Sequence, residues 1–414
     1  MTRAKENLSL VFYVGTHRLC GILVECISDS PRIARLADLK NAEGFQKGGI
    51  SQLEKALVSV GEVLRRLELG DEAFEIPVYV LISSSHLKMA RFSSSVSYAG
   101  YPRVVTSREV EQVIEQTRNV APLPLEDWIL QVIPESFWVN DLAGIQDPIG
   151  LEAQRLAVTL QIYTANYAHF RNLARVFDTF EFNLKGYFPK TLFLAEGSLN
   201  AGEKEGETLV VDFSDGVTHL VLTREGRIVL TKSLDFGSNL LTERIAKRWQ
   251  VSQRDAERLK ERFGSVDRSP NFSEELVPLV ERDGGEKRQI KRSEFHEAFL
   301  SFGDELCSRI EKEVIGFLEQ ARVQHPAFVL TGGGARLEGL LELVGCKFAS
   351  PVRLGTPRPM ETSVEVMVDP AWAGVLGFIR WMSGKVLQET ASFARENPFG
   401  RVYLQWKEWL AAYF

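Results

Sequence analysis

Three glycine-containing turns, each closing a strand-like run, are where this sequence carries residues that could do chemistry. LSLVFYV leads into Gly15-Thr16-His17. ETLVVDF leads into Ser214-Asp215-Gly216-Val217-Thr218, with Asp212 just inside the run, and AFVLT leads into Gly332-Gly333-Gly334. A turn without side chains lets backbone N–H groups approach anionic oxygens closely, and a helix N-terminus behind it adds a favourable field. One glycine after a strand ordinarily marks a turn and nothing more. Three in this order point to a ligand bearing phosphates. His17 and His219 stand beside two of these turns, where histidines are common, and neither earns a catalytic role.

The elements that must hold these turns follow from the hydrophobic pattern. Leu8 to Glu25 reads as two strands joined at Gly15, SQLEKALVSVGEVLRRLEL has helical spacing, and Ile76 to Ser83 reads as a strand. From about Leu81 to Tyr163 the texture changes to a helix at Ser107 to Asn119 with the strands WILQVIPESFWV and RLAVTLQIYT, as in a small inserted α+β unit. A helix at Tyr167 to Phe180 returns to the first domain. In the second half, strand, turn, strand, turn and strand repeat the opening pattern, a weak internal duplication of the kind that sets two similar halves facing each other across a cleft. Asn239 to Phe263 and Lys291 to Ala321 read as helices on either side of a polar stretch, and ARLEGLLELV reads as a helix after the glycine run.

Composition bounds the class. At 414 residues, with roughly 150 per domain, two to three domains are expected. Hydrophobic residues are 44% and charged residues 25%, the balance of an ordinary soluble globular protein. A net charge of −6 argues against a nucleic-acid binder. The cysteines Cys20, Cys26, Cys307 and Cys346 lack zinc-ligand spacing and read as small buried hydrophobes, and the six histidines are scattered, so no metal site is expected from them. The N-terminus lacks the features of a signal peptide, no run is apolar enough to span a bilayer, and a cytoplasmic protein is expected.

Taken together, these motifs resemble FtsA, the actin-like bacterial cell-division family, over nearly the whole chain. LTGGGARLEGLLEL resembles the family's adenosine loop, followed by VRLGTP; QDPIGLEAQRLAVTLQI resembles the end of its inserted subdomain; GFQKGGI resembles its early glycine turn; and DAERLK resembles the helix whose Glu and Lys flank the adenosine. The resemblance implies an actin-like α/β fold of the actin, Hsp70 and sugar-kinase superfamily, with two lobes around a nucleotide cleft and an inserted α+β (SHS2-like) subdomain. It implies a lobe-one core at 1–80 and 164–200, the insert at 81–163, a lobe-two core at 201–229 and 301–382, and a small lobe-two subdomain at 230–300. A linker is expected at 383–398 and an amphipathic helix at 399–414. It implies ATP, with Mg2+, at Gly15, Thr16, His17, Asp212, Ser214, Gly216, Thr218, Gly237, Ser238, Glu257, Lys260, Gly332, Gly333 and Gly334. Glu257 and Lys260 read equally well as a solvated helix face, since charges three apart usually are one.

Two departures stand out. Where the family has an Asp opening its first phosphate loop this chain has Tyr13, and where it has glycines in the second it has Ser214 and Asp215. An added carboxylate beside a triphosphate repels it unless metal or lysine compensates. Nucleotide binding with slow or absent hydrolysis is the expectation.

The last residues, FGRVYLQWKEWLAAYF, place Val402, Trp406, Trp409 and Tyr413 at helical spacing, widened by Tyr403, Leu410 and Phe414, with Arg401, Gln405 and Glu408 on the other side. Sixteen residues give a helix about 24 Å long, too short and too charged to span a bilayer and suited to its interface plane; a tail docked on the protein's own core is the bland alternative. The resemblance implies a peripheral tether at the inner face of the cytoplasmic membrane, at the division septum. Its partners would be FtsZ, further copies of itself in a head-to-tail polymer, and other divisome proteins. Two further readings share the fold: a PilM-like type IV pilus adaptor, which should lack the aromatic tail, and a small-molecule kinase, which should keep the first-loop Asp.

Overall fold

In the computed structural model, described for residues 8–27, 30–40, 42–70, 72–268, 275–280, 287–358, 360–362 and 368–392, the opening run Leu8–Val14 is strand β1. Leu10, Val11, Phe12 and Val14 are fully buried, as a central strand covered on both faces requires. β2 (Arg18–Ile27) returns antiparallel to it, with Tyr13 opposite Cys20, and β3 (Ser30–Lys40) continues the meander. Helix α1 (Leu53–Arg66) lays Ala56, Val60, Val63 and Leu64 on this sheet, and β4 (Pro77–Ile82) comes back parallel to β1.

The chain then builds a second sheet from β5 (Lys88–Ser97), β6 (Asp127–Val139), β7 (Leu142–Ile145) and β8 (Arg155–Asn166), all antiparallel in the order β7-β6-β8-β5. Between β5 and β6 lies α2 (Ser107–Val120), started by a capping box of Thr106 and Glu109. Its Val110, Val113 and Ile114 share a core with Phe137, Leu156, Val158, Leu160 and Ile162. Helix α3 (Tyr167–Asp178), capped by the Asn166 side chain, returns to the first sheet, and β9 (Asn183–Pro189) joins parallel to β4.

The second half repeats the plan. β10 (Glu207–Phe213), β11 (Thr218–Arg224) and β12 (Arg227–Leu234) form a meander, and β15 (Ala327–Thr331) and β16 (Val352–Leu354) join on the other side of β10 in parallel. The order β12-β11-β10-β15-β16 mirrors β3-β2-β1-β4-β9, so the duplication seen in the sequence is a duplication of topology. Inserted before β15 are helices α4 (Asn239–Trp249) and α5 (Gln253–Phe263), the hairpin β13 (Leu276–Val280) and β14 (Lys287–Lys291), and the long α6 (Arg292–Ala321). Trp249 stacks on Phe295 at 4.8 Å in their shared core.

The chain divides into two compact units, one taking in the chain up to Phe193, Met360–Glu365 and again from Val375, the other Leu194–Pro359 and Val366–Gly374. The expected domain limits shift accordingly. Residues 194–200 belong to the second unit, and 375–382 belong to the first, because Phe378 and Trp381 lie within 5.0–5.4 Å (ring centroids) of Phe188 and Phe193. The last described helix runs Ala373–Ser392, so residues 383–392 of the expected linker continue a helix. The helical stretch expected over 239–263 is two helices parted at Gln250, which is left-handed at φ 56°. The helix expected from Ala335 begins only at Leu340 (α7, Leu340–Phe348). Cys346 is exposed, unlike the other three cysteines. The tail residues 399–414 lie outside the described residues.

Candidate functional site

In the second unit, Asp212 sits near the end of the central strand, paired with His219 on one side and Thr331 on the other, and is fully buried. The Ser214 hydroxyl donates to its Oδ1 at 3.2 Å, and the Ser214 amide donates to the Val217 carbonyl at 3.3 Å, closing the turn. The glycine run packs directly on this turn. Gly332 has φ 87°, and a Cβ there would lie 2.5 Å from the Phe213 carbonyl and 2.7 Å from Asp212 Oδ1. A Cβ on Gly334 would lie 2.6 Å from the Phe213 ring. Glycine at both places is what lets the two turns touch. Gly333 is different: it is exposed, and a Cβ there would meet nothing nearer than the Ala371 Cβ at 4.0 Å. Beside it Arg336 pairs with Asp369 at 2.9 Å, and the Thr331 hydroxyl and Gly332 amide both donate to the Pro370 carbonyl.

Gly237 lies against the other side of the Ser214 turn, where a Cβ would fall 2.3 Å from the Asp215 carbonyl. The amides of Ser238 and Asn239, at the start of α4, donate to the carbonyls of Ser214 and Asp215 at 3.0 and 2.8 Å. Those two N–H groups therefore brace the turn. Lys260 is only 9% exposed; its Nζ lies 2.8 Å from Glu257 Oε2 and reaches the Ser238 hydroxyl at 3.3 Å, while Thr242 donates to Glu257. Glu257 and Lys260 are thus a linked polar chain joining α5 to α4 and not a solvated face. Thr218 is fully buried with its hydroxyl donated to the Phe236 carbonyl, so it supports the turn from within. His219 is buried as well, bonded to Ser233.

In the first unit, the turn after β1 is closed by the Gly15 amide donating to the Arg18 carbonyl at 2.8 Å, while the Gly48 amide donates to the Gly15 carbonyl at 3.1 Å. Thr16 is buried and His17 is exposed. Arg18 donates to both oxygens of Asp38 at 2.8 Å. Around the turn, at the carboxyl ends of the parallel strands β1, β4 and β9, stand Thr16, Ser83, Ser84, Lys190 and Thr191, all buried. Ligands of open α/β sheets bind at this edge. Lys190 was not among the residues the motifs pick out. The signal that could have found it is its place directly after the apolar strand end Phe188-Pro189, as the glycine turns follow theirs.

Magnesium takes oxygen ligands, carboxylates foremost. Where the resemblance expects a carboxylate in the first turn, the ring of Tyr13 lies under the Lys190 ammonium, Nζ 5.5 Å from its centroid. Among the described residues no group of three His, Cys, Asp or Glu is placed to hold a metal ion. Tyr13 itself therefore offers no carboxylate to Mg2+ at the first turn.

The repeated five-strand plan and the inserted antiparallel sheet with its helix define an actin-like protein carrying an extra subdomain. Solved structures agree on the fold. The chain is similar to a protein of the "PilM-PilN type IV pilus biogenesis complex" at TM-score 0.63 and 16% identity, over 91% of this chain and 98% of that one. It is similar to MreB5 of Spiroplasma citri bound to ADP at TM-score 0.52 and 12% identity, over 92% and 99%. Residues 209–377 match the family described as "Cell division protein FtsA", and residues 84–164 match the "SHS2 domain inserted in FTSA". "Cell division protein FtsA" of Borreliella burgdorferi is 26% identical over 413 residues, 98% of this chain and 99% of that protein. The protein of the same name from Escherichia coli K12 is 24% identical over 374 residues, 89% and 88%. The two family models and these relatives together support a divergent FtsA.

Proposed function

We propose that this protein binds ATP at its glycine turns, hydrolyses it slowly or not at all, assembles head-to-tail with further copies, and tethers FtsZ filaments to the inner face of the cytoplasmic membrane at the division site. The observation that carries the nucleotide reading is the second unit's cradle. Gly332 and Gly334 pack on the Asp212–Phe213 strand end, leaving Gly333 open beside Ala371, and the Lys260–Glu257 pair is held on Ser238. Slow hydrolysis follows from Tyr13 at the first turn and from Ser214 and Asp215 where glycines would admit phosphates.

Among the described residues no helix is long and apolar enough to cross a membrane. Attachment is assigned to the aromatic stripe of Val402, Tyr403, Trp406, Trp409, Leu410, Tyr413 and Phe414, with other divisome proteins as further partners. The match of residues 209–377 and 84–164 to the FtsA models supports the division role over a pilus adaptor. Co-sedimentation of purified protein with liposomes, with and without FtsZ, is the test: FtsZ should pellet only when protein and liposomes are both present. FtsZ that stays in the supernatant under all conditions would refute the tether.

A further inference from the structure

The first unit holds a buried cation, Lys190, over the ring of Tyr13, the residue that stands where a metal-organising carboxylate is expected. Pro189 and Val14 both pair with Ile82 of β4, so Lys190 and Gly15 are the next residues on two strands that flank a third. They stand two strand spacings apart, roughly 10 Å, a gap an extended lysine largely covers. Lys190 is 1% exposed and Tyr13 6% exposed. Keeping an ammonium out of water is costly, and the Tyr13 ring face compensates part of that cost by cation–π attraction.

Thr16, Ser83, Ser84 and Thr191 add buried hydroxyls at the same edge of the sheet. Gly48, at φ 72°, brings backbone so close that a Cβ would lie 2.2 Å from the Ser83 carbonyl. A fixed positive charge among hydroxyls and turn amides, at the carboxyl ends of parallel strands, is the chemistry of a phosphate subsite. Tyr13 stands where the carboxylate that would recruit a divalent cation is expected, and the nearby Asp38 has both oxygens bonded to Arg18.

From this we infer that Lys190 supplies the counter-charge for the nucleotide's phosphates at the first turn, in place of Mg2+, so that this protein binds nucleotide independently of divalent metal. The inference rests on the nucleotide reading above. A lysine point charge neutralises phosphate oxygens without polarising an attacking water as a metal does, which fits a nucleotide that is held and not turned over.

The test uses the full chain with ATP, ADP and adenosine as probes, titrated in magnesium and in EDTA. Wild-type affinity for ATP should agree between the two buffers within about twofold, where a metal-bridged site would lose tenfold or more. Lys190→Met removes the charge and keeps the volume. It should weaken ATP and ADP by about tenfold or more, the worth of a charge-assisted hydrogen bond, and leave adenosine unchanged. Lys190→Arg should retain most of the ATP affinity, which holds the proposal testable even if the Met variant misfolds. A strong loss of ATP binding in EDTA, or equal effects of Lys190→Met on ATP and adenosine, overturns the inference and leaves the nucleotide reading intact. If wild type binds none of the three probes in either buffer, the nucleotide reading itself falls.

Discussion

Gly332 and Gly333 are neighbours, yet their substitution should have opposite consequences. At Gly332 any side chain must adopt φ 87° and place a Cβ 2.5 Å from the Phe213 carbonyl and 2.7 Å from Asp212 Oδ1. The left-handed backbone alone costs about 1–3 kcal/mol, and overpacking a rigid site adds a similar amount. Gly332→Ala should therefore lower stability by roughly 2–6 kcal/mol, on the sum of those two costs. At Gly333 a Cβ meets only the Ala371 methyl at 4.0 Å. Gly333→Val should melt within a few degrees of wild type, a shift worth about 1 kcal/mol or less. Its isopropyl group projects into the space proposed for the adenosine and should weaken ATP binding by at least about tenfold, or 1.4 kcal/mol. Thermal melts and titration with a fluorescent ATP analogue on both variants separate the cases. If Gly333→Val binds the analogue as wild type does, the nucleotide does not lie over this glycine.

Three further outcomes are expected. Glu203 feels burial, which raises its pKa, but the Arg353 hydrogen bonds, the Asn200 amide and the Arg353 charge outweigh it and hold the carboxyl below its ordinary value. With an unfolded value of about 4.3, the stability this gives is present above that pH and lost as pH falls through the folded value. Arg353→Met should thus destabilise by about 2 kcal/mol at neutral pH and by progressively less below about pH 4 in acid melts, since the pair is then broken in both proteins; a constant gap across pH would contradict it. Steady-state phosphate release should be slow or absent, and brisk magnesium-dependent turnover would refute both that and the role given to Tyr13. Trp406→Glu with Trp409→Glu should abolish liposome flotation by about a hundredfold or more, from losing several kcal/mol of apolar burial, with an unchanged melting curve; unchanged flotation with a lowered melting temperature would mean a tail docked on the protein.

What could be read from the residues was whatever a periodic pattern or a glycine announces. The β1–β2 turn, helices α2 and α3, and the strands β6 and β8 stand where their patterns put them. Strand β3, SPRIARLADLK, was not legible, because charges interrupt its apolar residues; pairing with β2 holds it, with Arg18 and Asp38 bonded across the ladder. Strand β5, KMARFSSSVS, carries four serines of low strand propensity and is held by its ladder to β8. At the site, the glycines were legible as turns, but which of them faces open space was not, since that depends on what Phe213 and Ala371 do from distant positions in the chain. Lys260 read as a solvated charge because spacing says nothing of the neighbouring helix that covers it. Lys190 carries no local signal beyond following a strand, and the ring beneath it comes from the other end of the first sheet's sequence.

The aromatic cluster that joins Phe188 and Phe193 to Phe378 and Trp381 also sets the order in which the protein can be finished on the ribosome. Domains made first ordinarily close first. Here the unit begun by the N-terminus waits for residues synthesised after the whole second unit has emerged, with Tyr79, Phe188 and Phe193 lacking their cover until then. The second unit can therefore mature before the first. Completion of the earlier unit coincides with the arrival of the residues that follow Gly374, so a nascent chain carries an unfinished first unit until that segment has emerged.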